Sequence, residues 1–282
     1  MPAQGWKARL KDWVPPVLWR WLGSWIWVRW DGDYATWSEA AARCSGYAAP
    51  LILERVRAAM LEVRDGRASG ERDSLVLHTP EYSLPLLAAL SDAARRQGNR
   101  LRVLDVGGSL GTSYYQNRAW LEGVHPLHWG VVEQPHFVEE GRRNFADGTL
   151  SFYGSIAEAT AAFQPDFVLF SSVLQYVEHP WRVLEEALAA RPRFVMIDRA
   201  PMMESGPERI TVQTVPRSLY EATYPCRLLH RQELFDRLRT EYHVRAEGPL
   251  SERINVPGAA FCYGFFERKS PAAPSPGENG RA

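Results

Sequence analysis

The sequence predicts an α/β fold with a mostly parallel sheet, and three observations indicate it. Short apolar runs of strand length recur between segments that fit helices. A tight glycine turn follows one of these runs, and polar residues follow several others. The chain has 282 residues, zero formal net charge and 45% hydrophobic residues, which is typical of a globular protein with a sizeable core.

The most informative segment has the sequence LRVLDVGGSLG and runs from Leu101 to Gly111. It predicts a buried strand, a glycine turn and the start of a helix, whose first N–H groups are unpaired and favour a nucleotide-containing ligand. Glycine allows the backbone to adopt positive φ and to lie close to a ligand. We therefore expect Gly107, Gly108, Ser109 and Gly111 to bind a cofactor.

Asp105 and Val106 discriminate between the cofactors that such a turn can bind. When the dinucleotide pattern G-x-G-x-x-G is counted back from Gly111, Val106 stands where the first glycine belongs. A carboxylate at Asp105 would repel a pyrophosphate and would favour a ligand that carries ammonium and sulfonium groups. S-adenosylmethionine is such a ligand and is the predicted cofactor.

Polar residues also follow the next predicted strands, at the carboxyl edge where open α/β sheets bind ligands. A strand over residues 128–133 ends at Glu133, about twenty residues past the glycine turn, where such folds bind ribose hydroxyls. We expect the Glu133 carboxylate to accept hydrogen bonds from both hydroxyls. The continuous apolar run over residues 166–172 predicts a buried parallel strand whose end, Ser171 and Ser172, faces the cofactor.

The pattern D-x-G-x-x-x-G at residues 105–111 resembles the first motif of class I S-adenosylmethionine-dependent methyltransferases, with Ser109 replacing the middle glycine. Residues 173–184 resemble the V-L-E-H-V-x-D-P-x-x-V-L segment that lines the methyl-transfer site in many small-molecule methyltransferases. Tyr176 then occupies the family's histidine position. The resemblance implies a Rossmann-like class I methyltransferase fold, with a seven-stranded, mostly parallel sheet and an antiparallel last strand. It also implies that Ser155 lies near the adenine.

Methyl transfer to oxygen benefits from a general base, and Tyr176, Asp198 and His230 are the candidates. Asp198 has the more suitable acid–base range, although it could instead pair with Arg199. Tyr176 is better placed to orient an acceptor, and His230 could equally be a surface helix residue. We expect an insertion at about residues 205–238 to cover the acceptor pocket.

A wider resemblance spans nearly the whole chain. The segments G-x-Y-x-x-W-x-x-A from Gly32, S-G-Y from Ser45, V-V-E-Q from Val131 and I-D-R-x-P from Ile197 are similar to those of a bacterial methyltransferase family. That family is often associated with surface polysaccharide gene clusters. The resemblance implies that the methyl acceptor is a sugar hydroxyl on lipopolysaccharide, capsule or a related glycan precursor.

Composition argues against other functions. No basic block indicates nucleic-acid binding, and serines rather than carboxylates at the end of the 166–172 strand argue against a metal. The ligand-like pair His125 and His128 lies away from the carboxyl edge, so we interpret both as structural or surface residues. An odd number of cysteines without metal spacing favours a reducing cytoplasm. These cysteines are Cys44, Cys226 and Cys262.

The N-terminus contains eight of the eleven tryptophans, interspersed with basic residues. Its uncharged stretches are too short for a membrane span of roughly 20 residues. One hypothesis is a peripheral membrane contact, and the other is ordinary core packing, which we favour after Gly23. The predicted organisation is a Trp-rich helical extension (1–99), a cofactor-binding domain (100–269) and a disordered tail (270–282). The tryptophans are Trp6, Trp13, Trp19, Trp21, Trp25, Trp27, Trp30 and Trp37.

Two alternative functions remain open from the sequence. An NAD-dependent sugar oxidoreductase would share the fold, although Asp105 and the misplaced glycine argue against it. A non-catalytic adapter would keep the fold and dock a membrane assembly through the Trp-rich end.

Overall fold

The computed structural model describes residues 28–45, 50–72, 74–216 and 222–270. The Trp-rich segment before Val28, Tyr220 and the tail after Ser270 lie outside these ranges. The helices of the described ranges are α1 (Trp37–Ala41), α2 (Pro50–Arg64), α3 (Leu84–Arg96), α4 (Thr112–Asn117), α5 (Pro135–Asn144), α6 (Ile156–Ala162), α7 (Pro180–Ala189) and α8 (Arg231–Arg239).

Twelve strands accompany these helices in the described part of the chain. They are β1 (Arg29–Asp31), β2 (Gly70–Arg72), β3 (Leu75–Leu77), β4 (Leu101–Val106), β5 (Leu127–Val132), β6 (Leu150–Tyr153), β7 (Phe167–Ser171), β8 (Phe194–Met203), β9 (Arg209–Val215), β10 (Ala222–His230), β11 (Tyr242–Pro249) and β12 (Ala259–Arg268). Short 3₁₀ turns occupy Arg118–Leu121 and Leu174–Tyr176.

Seven strands form the central sheet in the order β6-β5-β4-β7-β8-β12-β11. The neighbours from β6 to β8 pair in parallel, whereas β12 runs antiparallel to both β8 and β11. This order confirms the predicted Rossmann-like fold with an antiparallel last strand. It also brings the ends of β4, β5, β7 and β8 to one edge of the sheet.

Both faces of this sheet are covered, as the continuous apolar strands predict. On β7, Phe167 and Leu169 belong to one core cluster, with helices α2, α3 and α5, while Val168 and Phe170 belong to the other, with α6, α7 and α8. Successive strand residues therefore alternate between the two cores. The cores hold the strand ends in fixed positions, which is what a site at this edge requires.

An antiparallel extension stands beyond the end of β7. The hairpin of β9 and β10 pairs with β1 on its outer side, and Leu229 and His230 of β10 pair in parallel with Met202 and Met203 of β8. β7 pairs with β8 only as far as Ser171, which lies opposite Asp198. A few residues further on, β10 pairs with the same side of β8. The extension therefore rises above the carboxyl edge.

Local signals in the sequence account for several helix boundaries. The Thr36 hydroxyl accepts a hydrogen bond from the Glu39 N–H, as a capping residue at the start of α1 does. Pro85 lies in the first turn of α3, where its missing N–H has no cost. Helix α2 ends at Arg64, directly before Asp65 and Gly66.

The structure differs from the predicted insertion over residues 205–238. Only its first part, the β9–β10 hairpin, stands over the sheet edge. Residues 231–239 form α8, whose Leu234, Phe235 and Leu238 are buried in the second core cluster. Sequence pattern did not separate the two parts because the hairpin leads into the helix without a turn-forming Gly or Pro at the boundary.

The two described tryptophans of the N-terminal set have different surroundings. Trp30 is buried against Phe261, with ring centroids 5.8 Å apart, which agrees with the core interpretation for residues after Gly23. Trp37 is half-buried and lies under the guanidinium of Arg227. No helix in the described ranges is long and apolar enough to cross a membrane.

Candidate functional site

A large cavity lies at the carboxyl edge of the sheet. Its volume is about 1140 Å³, more than the ~300–1,000 Å³ typical of a pocket for one small ligand. The loops after β4, β5, β7 and β8 form its floor, and the β9–β10 hairpin and the β2–β3 hairpin contribute walls. The cavity is therefore slightly larger than a typical pocket for one small ligand.

Most of the site residues predicted from the sequence line this cavity. They are Gly107, Gly108, Ser109, Glu133, Ser155, Ser171, Ser172, Tyr176 and Asp198. Three predicted residues do not line it. Asp105 lies beneath the glycine turn, Gly111 precedes α4 against Leu150, and His230 precedes α8. Their predicted roles remain predictions, and any effect of Asp105 on a ligand would act through the backbone of the turn.

Two glycines of the turn are required by close contacts. A Cβ at Gly107 would lie 2.3 Å from Cγ2 of Val173, and a Cβ at Gly108 would lie 2.6 Å from Cγ of Asp105. Gly107 also has a φ of +72°, which favours glycine. The turn is thus compressed between the end of β7 and the buried carboxylate, and its backbone faces the cavity.

The Asp105 carboxylate is a buried charge, with 1% of the residue exposed. Its Oδ2 accepts a hydrogen bond of 3.0 Å from the Trp129 ring nitrogen, and Oδ1 is buried with no hydrogen-bond partner among the described residues. Burial raises the pKa of Asp105 to about 7, and the negative charges of Glu133 and Asp198 add to this effect. A ligand cation above the turn would relieve this unfavourable burial.

Glu133 begins the loop after β5 and lies at the wall of the cavity. Its carboxylate accepts hydrogen bonds from the backbone N–H groups of Gln134, at 2.7 Å, and Ser109. Ser109, which stands where the resembling family has glycine, has a φ of +55°, so it keeps the left-handed conformation that glycine would adopt there. Burial raises the pKa of Glu133 despite these two donors.

Asp198 is held by two hydroxyl groups. Its Oδ1 accepts a hydrogen bond of 2.7 Å from Ser83, and its Oδ2 accepts one of 2.9 Å from Ser171. The alternative that Asp198 pairs with Arg199 is wrong, because the Arg199 guanidinium donates to Glu252 at 3.1 Å. Burial raises the pKa of Asp198, whereas the two hydroxyls and the charge of Arg199 lower it.

Tyr176 is linked to the β9–β10 hairpin. Its hydroxyl donates a 3.0 Å hydrogen bond to Oε1 of Gln213, whose amide nitrogen lies 3.4 Å from the Tyr224 hydroxyl oxygen. The two tyrosine rings pack edge to face, 5.2 Å apart. This cluster joins the turn after β7 to the hairpin and fixes one end of the cavity.

Two lining residues outside the central sheet, Glu71 and Ser83, were missed by sequence reasoning. Glu71 of β2 is buried and accepts hydrogen bonds of 2.8 Å from the Thr112 hydroxyl and 2.7 Å from the Ser74 N–H. Ser83 also lines the cavity. Neither residue belongs to a motif, and the only available signal was that Ser83 precedes Pro85, as a helix-capping residue does.

Carboxylates outnumber arginines around the cavity. The acidic residues in its lining are Glu71, Glu133, Glu186, Asp198 and Glu252, and the basic ones are Arg72, Arg199 and Arg253. Two of these arginines are paired, Arg72 with Glu81 and Arg199 with Glu252. With Asp105 beneath the turn, the floor of the cavity favours a positively charged ligand.

No family model matches the sequence, and no curated protein matches it. Among solved structures, the Burkholderia thailandensis 1,6-didemethyltoxoflavin-N1-methyltransferase, bound to 1,6-didemethyltoxoflavin and S-adenosylhomocysteine, is similar to this chain. The two are 18% identical, with 80% of this chain and 93% of that chain covered and a TM-score of 0.42.

Two further solved structures are similar in fold. One is the N-terminal domain of EvdMO1 in the presence of S-adenosylhomocysteine and D-fucose, with 15% identity, coverage of 74% of this chain and 97% of that chain, and a TM-score of 0.47. The other is magnesium protoporphyrin IX methyltransferase from Synechocystis PCC 6803, with 12% identity, coverage of 78% and 99%, and a TM-score of 0.45. At these values the likeness carries no argument about function, and the fold rests on the strand order.

The buried charge of Asp105 predicts a pH-dependent stability. Because the folded-state pKa is about 7 and the ordinary value is 3.8, the folded chain holds a proton in this window that the unfolded chain has lost. The free energy of unfolding therefore falls as pH rises from about 4 to about 7, by at most ~1.4 kcal/mol per pH unit from this group. Urea titrations across this range measure it, and we expect Asp105→Asn to flatten the profile.

Glu122→Gln, at an exposed carboxylate of the loop after the 118–121 turn, is the matched control and should leave the profile unchanged. Equal slopes for the wild-type protein and Asp105→Asn would contradict the burial of an ionisable charge at this position.

Proposed function

We propose that this protein is an S-adenosylmethionine-dependent methyltransferase. The observation that carries the proposal is the acidic floor of the cavity, where the Asp105 charge lies beneath a glycine turn and Glu133 stands at the end of the adjacent strand. This edge of an open α/β sheet is where nucleotide ligands bind.

The residues present fit this cofactor. Glu133 offers a carboxylate to the two ribose hydroxyls, and the Gly107–Gly108 backbone permits close approach. Asp105 lies beneath the turn, so its ionised form would attract the ammonium and sulfonium groups through the backbone of the turn rather than by direct contact. When bound, the cofactor would supply an electrophilic methyl group.

A sugar hydroxyl of a bacterial surface polysaccharide, or of its precursor, is the proposed acceptor. The cavity volume of about 1140 Å³ supports a second ligand beside the cofactor. Tyr176 and Gln213 present hydroxyl and amide groups at the hairpin end, a donor set suited to an acceptor with hydroxyl groups. The sugar itself is implied only by the resemblance to the polysaccharide-associated family. We propose a cytoplasmic site of action.

The two alternatives make different demands on the cavity. An NAD-dependent oxidoreductase would place a pyrophosphate beside Glu133 and above Asp105, which this charge distribution opposes. A non-catalytic adapter would bind the cofactor without turnover. Transfer of radiolabelled methyl from S-adenosylmethionine to a panel of polysaccharide precursors separates the adapter from the enzyme.

Glu133→Gln should weaken the binding of S-adenosylmethionine and S-adenosylhomocysteine by about 10-fold or more. The substitution keeps the side-chain shape but removes charge-assisted hydrogen bonds worth ~1.5–3 kcal/mol. Isothermal titration calorimetry with both compounds and with NAD(H) measures the effect.

Glu139→Gln, on the exposed face of α5, is the matched control and should bind like the wild-type protein. Binding of NAD(H) alone would exclude the methyltransferase proposal in favour of redox chemistry. Equal affinities for the wild-type protein and Glu133→Gln would exclude the ribose role.

We also propose a peripheral membrane contact next to this site. Residues 1–27 contain six tryptophans, four basic residues and one acidic residue, a composition that favours an anionic bilayer surface. In the described part of the chain, Leu84 is 69% exposed and Trp120 is 60% exposed, while Ser83 beside Leu84 lines the cavity. A bilayer there would bring a lipid-linked glycan to the cavity mouth.

Co-sedimentation with phosphatidylethanolamine–phosphatidylglycerol vesicles tests this contact. We expect the full chain to sediment with the vesicles and a chain lacking residues 1–27 to remain largely in the supernatant, with Trp120→Ser intermediate. Ala119→Ser, at the preceding exposed residue, should behave as the full chain does. Equal partition of all four proteins would rule out the membrane contact.

A further inference from the structure

Asp198 combines deep burial with access to the cavity. It is 1% exposed, yet it lines the cavity where β7 ends and the β9–β10 hairpin begins to cover the edge. Both carboxylate oxygens accept a hydrogen bond from a hydroxyl, at 2.7 Å from Ser83 and 2.9 Å from Ser171. Two hydroxyls therefore fix the orientation of this carboxylate.

The two hydroxyls come from distant parts of the chain. Ser171 ends β7, beside Asp198 in the parallel register, so its contact follows from the sheet. Ser83 is 115 residues away from Asp198 in sequence and reaches it from the start of α3. Ser83 also accepts a weak hydrogen bond of 3.4 Å from the Leu86 N–H. The shorter contact to Asp198 is thus its principal interaction.

Among the described residues, the charged side chains near Asp198 do not donate hydrogen bonds to its carboxylate as the two hydroxyls do. Arg199 donates to Glu252 at 3.1 Å, and its φ of +50° sets it apart from the extended residues of β8. Asp105, on β4 at the far side of β7, and Glu252, from the loop after β11, add negative charge. In the described ranges the hydrogen bonds to the Asp198 carboxylate come from hydroxyl groups rather than from a cation.

We propose that Ser83 is a positioning residue whose hydroxyl, together with that of Ser171, holds Asp198 ionised and oriented to accept the proton of the acceptor hydroxyl. The inference rests on the proposed function. A hydroxyl donor stabilises the anion without neutralising it, so the carboxylate keeps its ability to accept a proton. The other lone pairs of each carboxylate oxygen stay available to an acceptor in the cavity.

The proposed step is balanced in atoms and charge. The acceptor oxygen forms a bond to the methyl carbon as the carbon–sulfur bond breaks, and the sulfur keeps the electron pair of that bond and becomes a neutral thioether. The proton of the acceptor hydroxyl passes to a carboxylate oxygen of Asp198. Ser83 and Ser171 then remain hydrogen-bonded to the protonated carboxyl group, whose later ionisation to solvent restores the starting state.

Carboxyl NMR of the full chain labelled with ¹³Cγ-aspartate tests the role of Ser83 without requiring an acceptor. The Asp198 signal is assigned by its loss in Asp198→Asn and is followed as a function of pH. We expect Ser83→Ala to raise the titration midpoint of Asp198 by about one pH unit, because a donor to the ionised form is removed. Ser83→Thr, which keeps the hydroxyl, should restore the wild-type midpoint.

Two further variants separate positioning from helix capping. Ser83→Gly removes the hydroxyl but keeps a residue that is tolerated at helix starts, so it should shift the midpoint as Ser83→Ala does even if the alanine variant folds poorly. Thr36→Ala removes the cap of α1, and Ser91→Ala removes an exposed hydroxyl of α3 that bonds to the Leu87 carbonyl. Both should leave the Asp198 titration unchanged.

The outcome is independent of the test of cofactor binding. An Asp198 midpoint that is the same in wild type, Ser83→Ala and Ser83→Gly would overturn the positioning role, even if S-adenosylmethionine binds. Conversely, absence of cofactor binding in calorimetry would refute the proposed function while a shifted midpoint still established the Ser83–Asp198 coupling. With an acceptor identified by methyl transfer, Ser83→Ala should lower kcat several-fold and move the pH profile upward, with the Kd for S-adenosylmethionine unchanged.

Discussion

The Asp105 carboxylate is held beneath the glycine turn by the Trp129 ring nitrogen, and the shape of the site depends on this contact. Gly108 lies directly above it, where a Cβ would be 2.6 Å from Cγ of Asp105. The turn can pack onto the carboxylate only because residue 108 has no side chain. The same contact places beneath the cavity a carboxyl group whose pKa is raised by burial to about 7. A cation bound above the turn would favour the ionised form of this group.

The other walls add to this arrangement from outside the central sheet. The β9–β10 hairpin is attached to β8 past the end of β7, and Gln213 links it to Tyr176 in the turn that follows β7. From other segments, Glu71 is tied to Thr112 at the start of α4, and Ser83 is tied to Asp198. Under the proposed function, the cofactor would bind at the sheet edge and the acceptor would lie against the added hairpin, so we expect substitutions in the hairpin to change acceptor specificity.

Most of the sheet and half of the site could be predicted because their signals are local. Apolar runs located β4, β5 and β7, the glycine turn located the floor, and strand ends pointed to Glu133 and Ser171. Contacts between distant segments left no such pattern. The sequence indicates only that Ser83 starts a helix, yet its hydroxyl donates a hydrogen bond to the carboxylate of Asp198, 115 residues away. For the same reason the Arg199–Glu252 pair was not foreseen, and α8 was assigned to the insertion although its apolar face belongs to the core.

A crystal structure of the protein with S-adenosylhomocysteine would test the central claim most directly. The account predicts that both ribose hydroxyls lie within hydrogen-bond distance of the Glu133 carboxylate and that the sulfur lies over the glycine turn, on the side of Asp198 and Tyr176. A nucleoside bound elsewhere, or a ribose that leaves Glu133 without a hydroxyl partner, would contradict it.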